Sequence, residues 1–131
     1  MSARNRPLSP HLQIYRWELH MAMSIFHRAS GAAMGVGLLL VTWGFVALAT
    51  GAEAFEQFKT CMGSPIGRFV LFGFTLALVY HALNGVRHLN WDTGRGLSKE
   101  AGKRSGQIVI VLAIALTAAL FYFGYQSAGL V

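Results

Sequence analysis

Residues 69–88, FVLFGFTLALVYHALNGVRH, decide the fold of this chain because they join a long apolar run to histidines near its end. The 18 residues 69–86 carry no charge, and Arg68 and Arg87 bound them. A helix of that length just crosses a bilayer core about 30 Å thick. His81 lies about 9 Å inside Arg87 along the helix axis. An imidazole at that depth needs a partner, because hydrocarbon offers no hydrogen bonds.

His81, Asn84 and His88 lie on one face of this predicted helix, since spacings of three and seven residues return to the same side. Gly85 lies beside them, and its missing side chain lets a bulky flat group approach the backbone. Two interpretations of His81 stay open from these residues alone. The ring is either a neutral imidazole bonded to a neighbouring helix or an axial ligand of haem iron. His88 is alternatively an interfacial side chain next to Arg87.

The composition is that of a membrane protein. Of the 131 residues, 54% are hydrophobic and 12% are charged, whereas soluble domains carry about 25% charged residues. Three uncharged runs are long enough to span as helices: residues 29–52, 69–86 and 105–131. We therefore predict an all-α membrane protein in which an N-terminal arm precedes a single transmembrane domain. The arm covers residues 1–20, the domain 21–131, and three helices run up-down-up over about 22–52, 65–88 and 105–127.

Basic residues predict the orientation of these spans. Lys and Arg number four up to residue 28 and five over residues 87–104, but two in the first loop region and none in the tail. We therefore expect the N-terminus and the second loop on the cytoplasmic side. Because the basic residues cluster at membrane edges, the net charge of +6 does not indicate a nucleic-acid partner. Acidic and aromatic residues in the first loop predict a short interfacial turn of helix: Glu53, Phe55, Glu56 and Phe58.

Two local patterns predict how the helices begin and how they meet. Ser64-Pro65 is typical of a helix start, with proline in the first turn of the second span. Gly31 and Gly35 form a G-x-x-x-G motif, which favours close contact with another helix.

Other polar residues indicate no site of their own. Cys61 is the single cysteine and cannot form an internal disulfide, and the chain has no C-x-x-C-H for covalent haem attachment. Asp92 is expected at the surface, where Arg87 or Arg95 is a candidate partner. The first apolar run is too long for a signal peptide, and the opening residues do not have the pattern of an organellar transit peptide.

The first predicted helix carries a second polar cluster of Ser24, His27 and Arg28, in which His27 and Arg28 each lie within about 60° of Ser24 on one face. The predicted orientation puts it in the same leaflet as His81. A hydroxyl, an imidazole and a guanidinium can hydrogen-bond a carbonyl ligand or hold the propionates of a porphyrin. Ordinary interpretations stay open as well: Arg28 as an anchor that extends to the interface, and Ser24 as a cap or a donor to its own helix.

A haem with two axial imidazoles needs histidines on facing helices, each held at its other nitrogen. This chain offers one deep histidine, His81, because His27 lies nearer the surface. If haem binds, the simplest source of the second ligand is another subunit. A bundle of only three helices is also incomplete, which favours the same conclusion.

Three stretches together resemble a known family: RPLSPHLQIY at residues 6–15, SIFHRASG at 24–31 and HALNGVRHLNWD at 81–92. They are similar to the cytochrome b membrane-anchor subunits, of the b556 type, of succinate dehydrogenase (succinate:quinone oxidoreductase). The resemblance extends over nearly the whole chain. Ser30 stands where threonine is frequent in the family, a mild variation.

The resemblance implies roles for individual residues. His81 would be an axial ligand of the iron of one b-type haem, with the other ligand from a second, similar anchor subunit. Ser24 and Arg28 would line the ubiquinone site. His27 and His88, together with Arg28, would lie near the haem propionates or that site.

The resemblance also implies partners and a location. Electrons from succinate would pass through a flavoprotein subunit and an iron–sulfur subunit to quinone, and this chain would have no independent activity. No dicarboxylate, flavin or cluster site is visible in it. The opening residues favour a bacterial inner membrane, with the N-terminus cytoplasmic. The alternatives are a haem-free structural anchor and another transmembrane b-type cytochrome.

Overall fold

A computed structural model describes residues 16–129, and every regular element in that range is a helix. The elements are α1 (Leu19–Thr50), α2 (Ala52–Gly63), α3 (Pro65–Asp92) and α4 (Lys99–Ser127). By length and composition, α1, α3 and α4 can each cross a membrane. Helix α3 packs against both α1 and α4, which contact each other less. The predicted all-α membrane fold with three spanning helices is confirmed, whereas the stretch at residues 6–15 lies outside the described residues.

Helices α1 and α4 begin before the predicted limits and α3 ends after its limit, whereas α1 ends at Thr50, two residues before the predicted end. Helix α4 begins at Lys99 and not near 105, since the Ser98 hydroxyl accepts a hydrogen bond from the Ala101 N–H at 3.2 Å. Lys99 Nζ also donates to Glu18 Oε1 at 3.1 Å, immediately before α1 begins at Leu19. That hydrogen bond, and the charge of Lys99, lower the pKa of the Glu18 carboxyl.

The first loop folds into α2, a longer helix than the predicted interfacial turn. Phe58 of α2 packs edge-on against Trp43 of α1, with 4.9 Å between ring centroids. Helix α3 begins as predicted at Ser64-Pro65, where the serine hydroxyl accepts from the Gly67 N–H at 3.1 Å. The loop therefore joins the C-terminal end of α1 to the N-terminal end of α3 and packs against both helices.

Small residues occupy the interior of the three-helix unit, and large apolar residues cover its outside. The buried positions include Gly37, Ala47, Gly106 and Ala113, whereas the exposed side chains include Leu38, Leu39, Phe45, Val46, Ile114 and Leu120. Without water to drive apolar burial, membrane helices pack through small residues that let backbones approach. The outward apolar surface is therefore a surface for lipid or for a partner within the membrane.

Of the two glycines in the G-x-x-x-G motif, Gly31 makes a close contact with another helix of this chain and Gly35 does not. A Cβ added at Gly35 would meet nothing within 4 Å, so Gly35 makes no such contact within the described residues. Gly37 does, because an added Cβ there would overlap the ring of Phe74 on α3. Gly31 faces His81, whose Cε1 would lie 3.2 Å from an added Cβ. The motif prediction is therefore wrong for Gly35 within this chain.

We expect Gly37→Ala to destabilise the protein by about 1–3 kcal/mol, the usual cost of overpacking a filled interior. Gly73→Ala is the matched control on α3, because an added Cβ there meets nothing within 4 Å. Thermal unfolding in detergent measures both. Equal melting temperatures for the two variants would contradict the packing of Phe74 on Gly37.

A buried guanidinium joins α3 to α4. Arg87 is only 6% exposed, and it donates to Ser105 Oγ at 3.0 Å and to the Gly102 carbonyl at 3.0 Å. A third donation reaches Asn84 Oδ1 at 3.3 Å. Asp92 is exposed and forms no ion pair with a described residue, so the predicted pairing with Arg87 or Arg95 is wrong. Arg87 is therefore an interhelical anchor as well as a charge at the end of a span.

Candidate functional site

Three histidines meet at one end of the bundle. The rings of His27 on α1 and His81 on α3 stack face to face, with centroids 3.9 Å apart and planes 14° apart. The ring of His88 lies 5.3 Å from that of His27, and Trp91 meets His88 edge-on at 5.1 Å. The structure thus brings together three of the side chains singled out from the sequence.

Helix α1 holds His81 through polar contacts at one ring nitrogen. His81 Nδ1 lies 3.0 Å from Ser30 Oγ and 3.2 Å from the carbonyl oxygen of His27. Gly31 makes room for the ring, since any larger residue would press on it. The neighbouring Tyr80 hydroxyl donates to the Met23 carbonyl at 2.8 Å and fixes α3 against α1. His81 is therefore half-buried and oriented, not free to turn into lipid.

The side chains of this cluster are compatible with a haem. Within the described residues, no group of three or more His, Cys, Asp or Glu side chains is arranged to hold a metal. A porphyrin supplies four nitrogens itself, so a single histidine from this chain suffices. Within residues 16–129, the hydrogen bonds of the His81 side chain all involve Nδ1. The buried Nδ1 of His27 has no hydrogen-bond partner in that range.

The stacked geometry of His27 and His81 limits how this chain can bind iron. Two axial imidazoles point their nitrogens at one iron from opposite sides. The two rings here present their faces to each other, and not their nitrogens. They therefore cannot act as the two axial ligands of one haem in this arrangement.

Ser24 and Arg28 lie at the same end of α1 but do not join the histidine cluster, whereas His27 packs against α3. Both are exposed, and they line an open groove of about 530 Å³ with neighbouring residues of the same helix: His20, Met21 and Ile25. At 100° per residue, they are turned about 60° and 100° from His27, which faces α3. Within this chain, Ser24 and Arg28 are therefore separate from the histidine cluster, although both lie at the same height along the bundle as that cluster.

Asn84 does not face the histidines as directly as its spacing predicts. Its side chain is fully buried and its Oδ1 accepts from Arg87, towards α4, while its Nδ2 has no partner among the described residues. A Cβ added at Gly85 would meet nothing within 4 Å, so the space beside this glycine is open in the chain.

Two contacts between α1 and α3 were not predicted from the sequence: that of Ser30 with His81 and that of Tyr80 with the Met23 carbonyl. A signal for Ser30 was present, since it follows His27 by three residues and so shares its helical face. For Tyr80, the sequence indicated only that it is adjacent to His81.

A separate apolar cavity of about 490 Å³ lies where α1, α3 and α4 meet. Ser30 and Tyr80 are the polar residues on its lining, and the rest is apolar or glycine. Tyr80 is the only titratable group among the described residues on its lining, so those residues offer little acid–base chemistry.

Three helices that can span a membrane, with a histidine cluster at one end, place the protein in the class of integral membrane helical proteins. The sequence matches the family of succinate dehydrogenase/fumarate reductase transmembrane subunits over residues 2–120, and the chain belongs to that family. The family inferred from the three motifs is therefore confirmed.

Individual relatives agree with this assignment. The succinate dehydrogenase cytochrome b556 subunit of Paracoccus denitrificans is 42% identical over 123 residues, which are 91% of this chain and 95% of the relative. The b556 subunit of Rickettsia felis is 36% identical over 116 residues, 88% of this chain and 90% of the relative. The mitochondrial cytochrome b560 subunit of Sus scrofa is 43% identical over 112 residues, 84% of this chain but 66% of the longer relative.

Proposed function

We propose that this chain is a membrane-anchor subunit of succinate dehydrogenase that ligates haem b through His81 and helps to form the ubiquinone-reduction site. The observation that carries the proposal is the orientation of His81, held at Nδ1 by Ser30 and the His27 carbonyl. The names of the relatives, which are cytochrome b subunits of that enzyme, support it.

Residues of this chain would hold the haem from two directions. His81 would bind the iron, while His27, His88 and Arg28 would lie near the propionates. The second axial ligand would come from a second anchor subunit, because the stacked ring of His27 is not placed to supply it. When bound, the haem supplies reversible one-electron chemistry.

Ser24 and Arg28 would bind ubiquinone by donating hydrogen bonds to its carbonyl oxygens. Their exposure at an open groove supports this role, since partner subunits can complete the walls. Those partners would be the second anchor subunit and the iron–sulfur subunit, which receives electrons from the succinate-oxidising flavoprotein. This chain would bind and orient quinone without activity of its own.

The proposed location is a bacterial inner membrane with the N-terminus cytoplasmic. The excess of basic residues near α1 and in the α3–α4 connection supports this orientation. The contact of Lys99 with Glu18 keeps the start of α1 and the start of α4 at one end of the bundle.

Arg28→Leu in the assembled complex is expected to lower succinate:quinone reductase activity strongly. A charge-assisted hydrogen bond contributes about 1.5–3 kcal/mol, which corresponds to a loss of roughly 10- to 100-fold. Ser24→Ala removes a neutral donor and should lower activity only by about threefold to tenfold. Succinate oxidation with a water-soluble dye as acceptor should stay unchanged in both.

Arg104→Leu is the matched control for that experiment. Arg104 is an exposed basic residue on α4, near the same end of the bundle. Its replacement should leave quinone reduction within about twofold of the wild type, since surface changes away from a site have small effects. Normal quinone turnover in both Ser24→Ala and Arg28→Leu would refute the quinone-site assignment.

A haem-free structural anchor is the alternative that one observation favours. The Nδ1 contacts of His81 already give this ring a partner on α1, as expected for a histidine that only joins two helices. An optical spectrum of the purified complex separates the two functions, because only the haem-bearing anchor has b-type absorbance.

A further inference from the structure

We propose that Ser30 is a positioning residue that fixes the tautomer of His81 and so tunes the haem iron. Its hydroxyl, acting with the His27 carbonyl, would keep the proton of His81 on Nδ1 and leave Nε2 as the ligand. This inference rests on the proposed function, since it concerns the ligand of the proposed haem.

The proton of the Ser30 hydroxyl is already engaged. Ser30 Oγ donates to the His27 carbonyl oxygen at 2.8 Å, within the same helix. A hydroxyl has one proton and two lone pairs, so only the lone pairs remain for the nitrogen of His81 at 3.0 Å. Ser30 is therefore an acceptor towards His81.

The second neighbour of His81 Nδ1 is an acceptor by its chemistry. The His27 carbonyl oxygen, 3.2 Å from Nδ1, has no proton to donate. A nitrogen lone pair facing two oxygen acceptors would be repelled by both. The arrangement is attractive only if Nδ1 carries the proton, and a neutral imidazole then has its lone pair on Nε2.

The burial of Ser30 strengthens its hydrogen bond with His81. The residue is only 7% exposed, so water does not compete for the hydrogen bond. An acceptor on the outer nitrogen of a ligating histidine raises the basicity of the ligand and fixes the orientation of its ring. A more basic ligand favours ferric over ferrous iron, so loss of the Ser30 hydroxyl should raise the midpoint potential of the haem.

The test compares Ser30→Thr with Ser30→Val in the purified complex. The two side chains have nearly the same shape, but only threonine keeps the hydroxyl. Ser30 lies on the lining of the 490 Å³ cavity, which gives the added methyl groups room. Redox titration of the b-type absorbance measures the midpoint potential, and haem content per complex measures retention under dilution in detergent.

Ser30→Thr should match the wild type, whereas Ser30→Val should raise the potential and weaken haem retention by about tenfold, as loss of such an outer contact does at other metal sites. Equal potentials and equal retention in the two variants would overturn the inference. A wild-type complex without b-type absorbance, or absorbance that survives His81→Ala, would overturn the proposed function with it. Loss of haem in His81→Ala together with identical threonine and valine variants would overturn only the role of Ser30.

Discussion

His81→Ala should remove the b-type haem absorbance from the assembled complex almost completely. Among the described residues, the substitution deletes the one imidazole of a spanning helix whose Nδ1 lies within hydrogen-bond distance of two oxygens of a neighbouring helix. His27 cannot take its place without a large movement, because its ring lies flat against the ring of His81 at 3.9 Å. A dithionite-reduced minus oxidised difference spectrum, scaled to haem per complex, measures the loss.

His20→Ala is the matched control for that substitution. His20 lies near the start of α1 and its Nε2 is 3.9 Å from Glu18 Oε2, away from the histidine cluster. Its variant should keep the full haem content. Gel filtration of both variants separates loss of haem from loss of assembly, and a full haem complement in an intact His81→Ala complex would contradict the ligand assignment.

The spanning helices were predictable from sequence because charge-free runs of sufficient length have few other structures available in a bilayer. Their ends were less predictable. The start of α4 at Lys99 depends on the Ser98 cap and on the ion pair with Glu18, a residue far away in the chain. Polar residues do not end a helix by themselves, so apolar runs alone underestimate helix length.

The candidate site was predictable as a set of residues but not as an arrangement. Spacing gives the angle between side chains on one helix, as for Ser24, His27 and Arg28. It does not say which of those directions meets the neighbouring helix. In the structure, His27 packs against α3 while Ser24 and Arg28 are exposed.

The contacts of Arg87 also could not be predicted from its own helix. In the sequence it bounds an apolar run, which predicts a charge that extends to the membrane surface. Its burial depends on α4, where Gly102 supplies a carbonyl and Ser105 a hydroxyl at the level of the guanidinium. Nothing within α3 itself indicates those partners.

Arg87→Leu is therefore expected to destabilise the three-helix unit by about 2–3 kcal/mol, since it removes three hydrogen bonds and leaves the Asn84 oxygen buried without a donor. The guanidinium also stacks on the Trp91 ring at 3.9 Å, and leucine loses that attraction. Arg87→Lys should lie between leucine and the wild type, because one ammonium cannot reach acceptors arranged for a planar fork. Thermal unfolding in detergent measures all three proteins.

Arg68→Leu is the control at the other end of the same helix. Arg68 is exposed and donates to the Gly63 carbonyl at 2.7 Å, so its loss should cost less than about 1 kcal/mol. Comparing the stability of Arg87→Leu with that of Arg68→Leu tests the effect of burial and not of charge, because both variants lose one guanidinium from α3. If Arg87→Leu unfolded at the same temperature as Arg68→Leu, the three hydrogen bonds to α4 and Asn84 would contribute nothing beyond an ordinary surface contact, and Arg87 would be a boundary charge as its sequence position predicts.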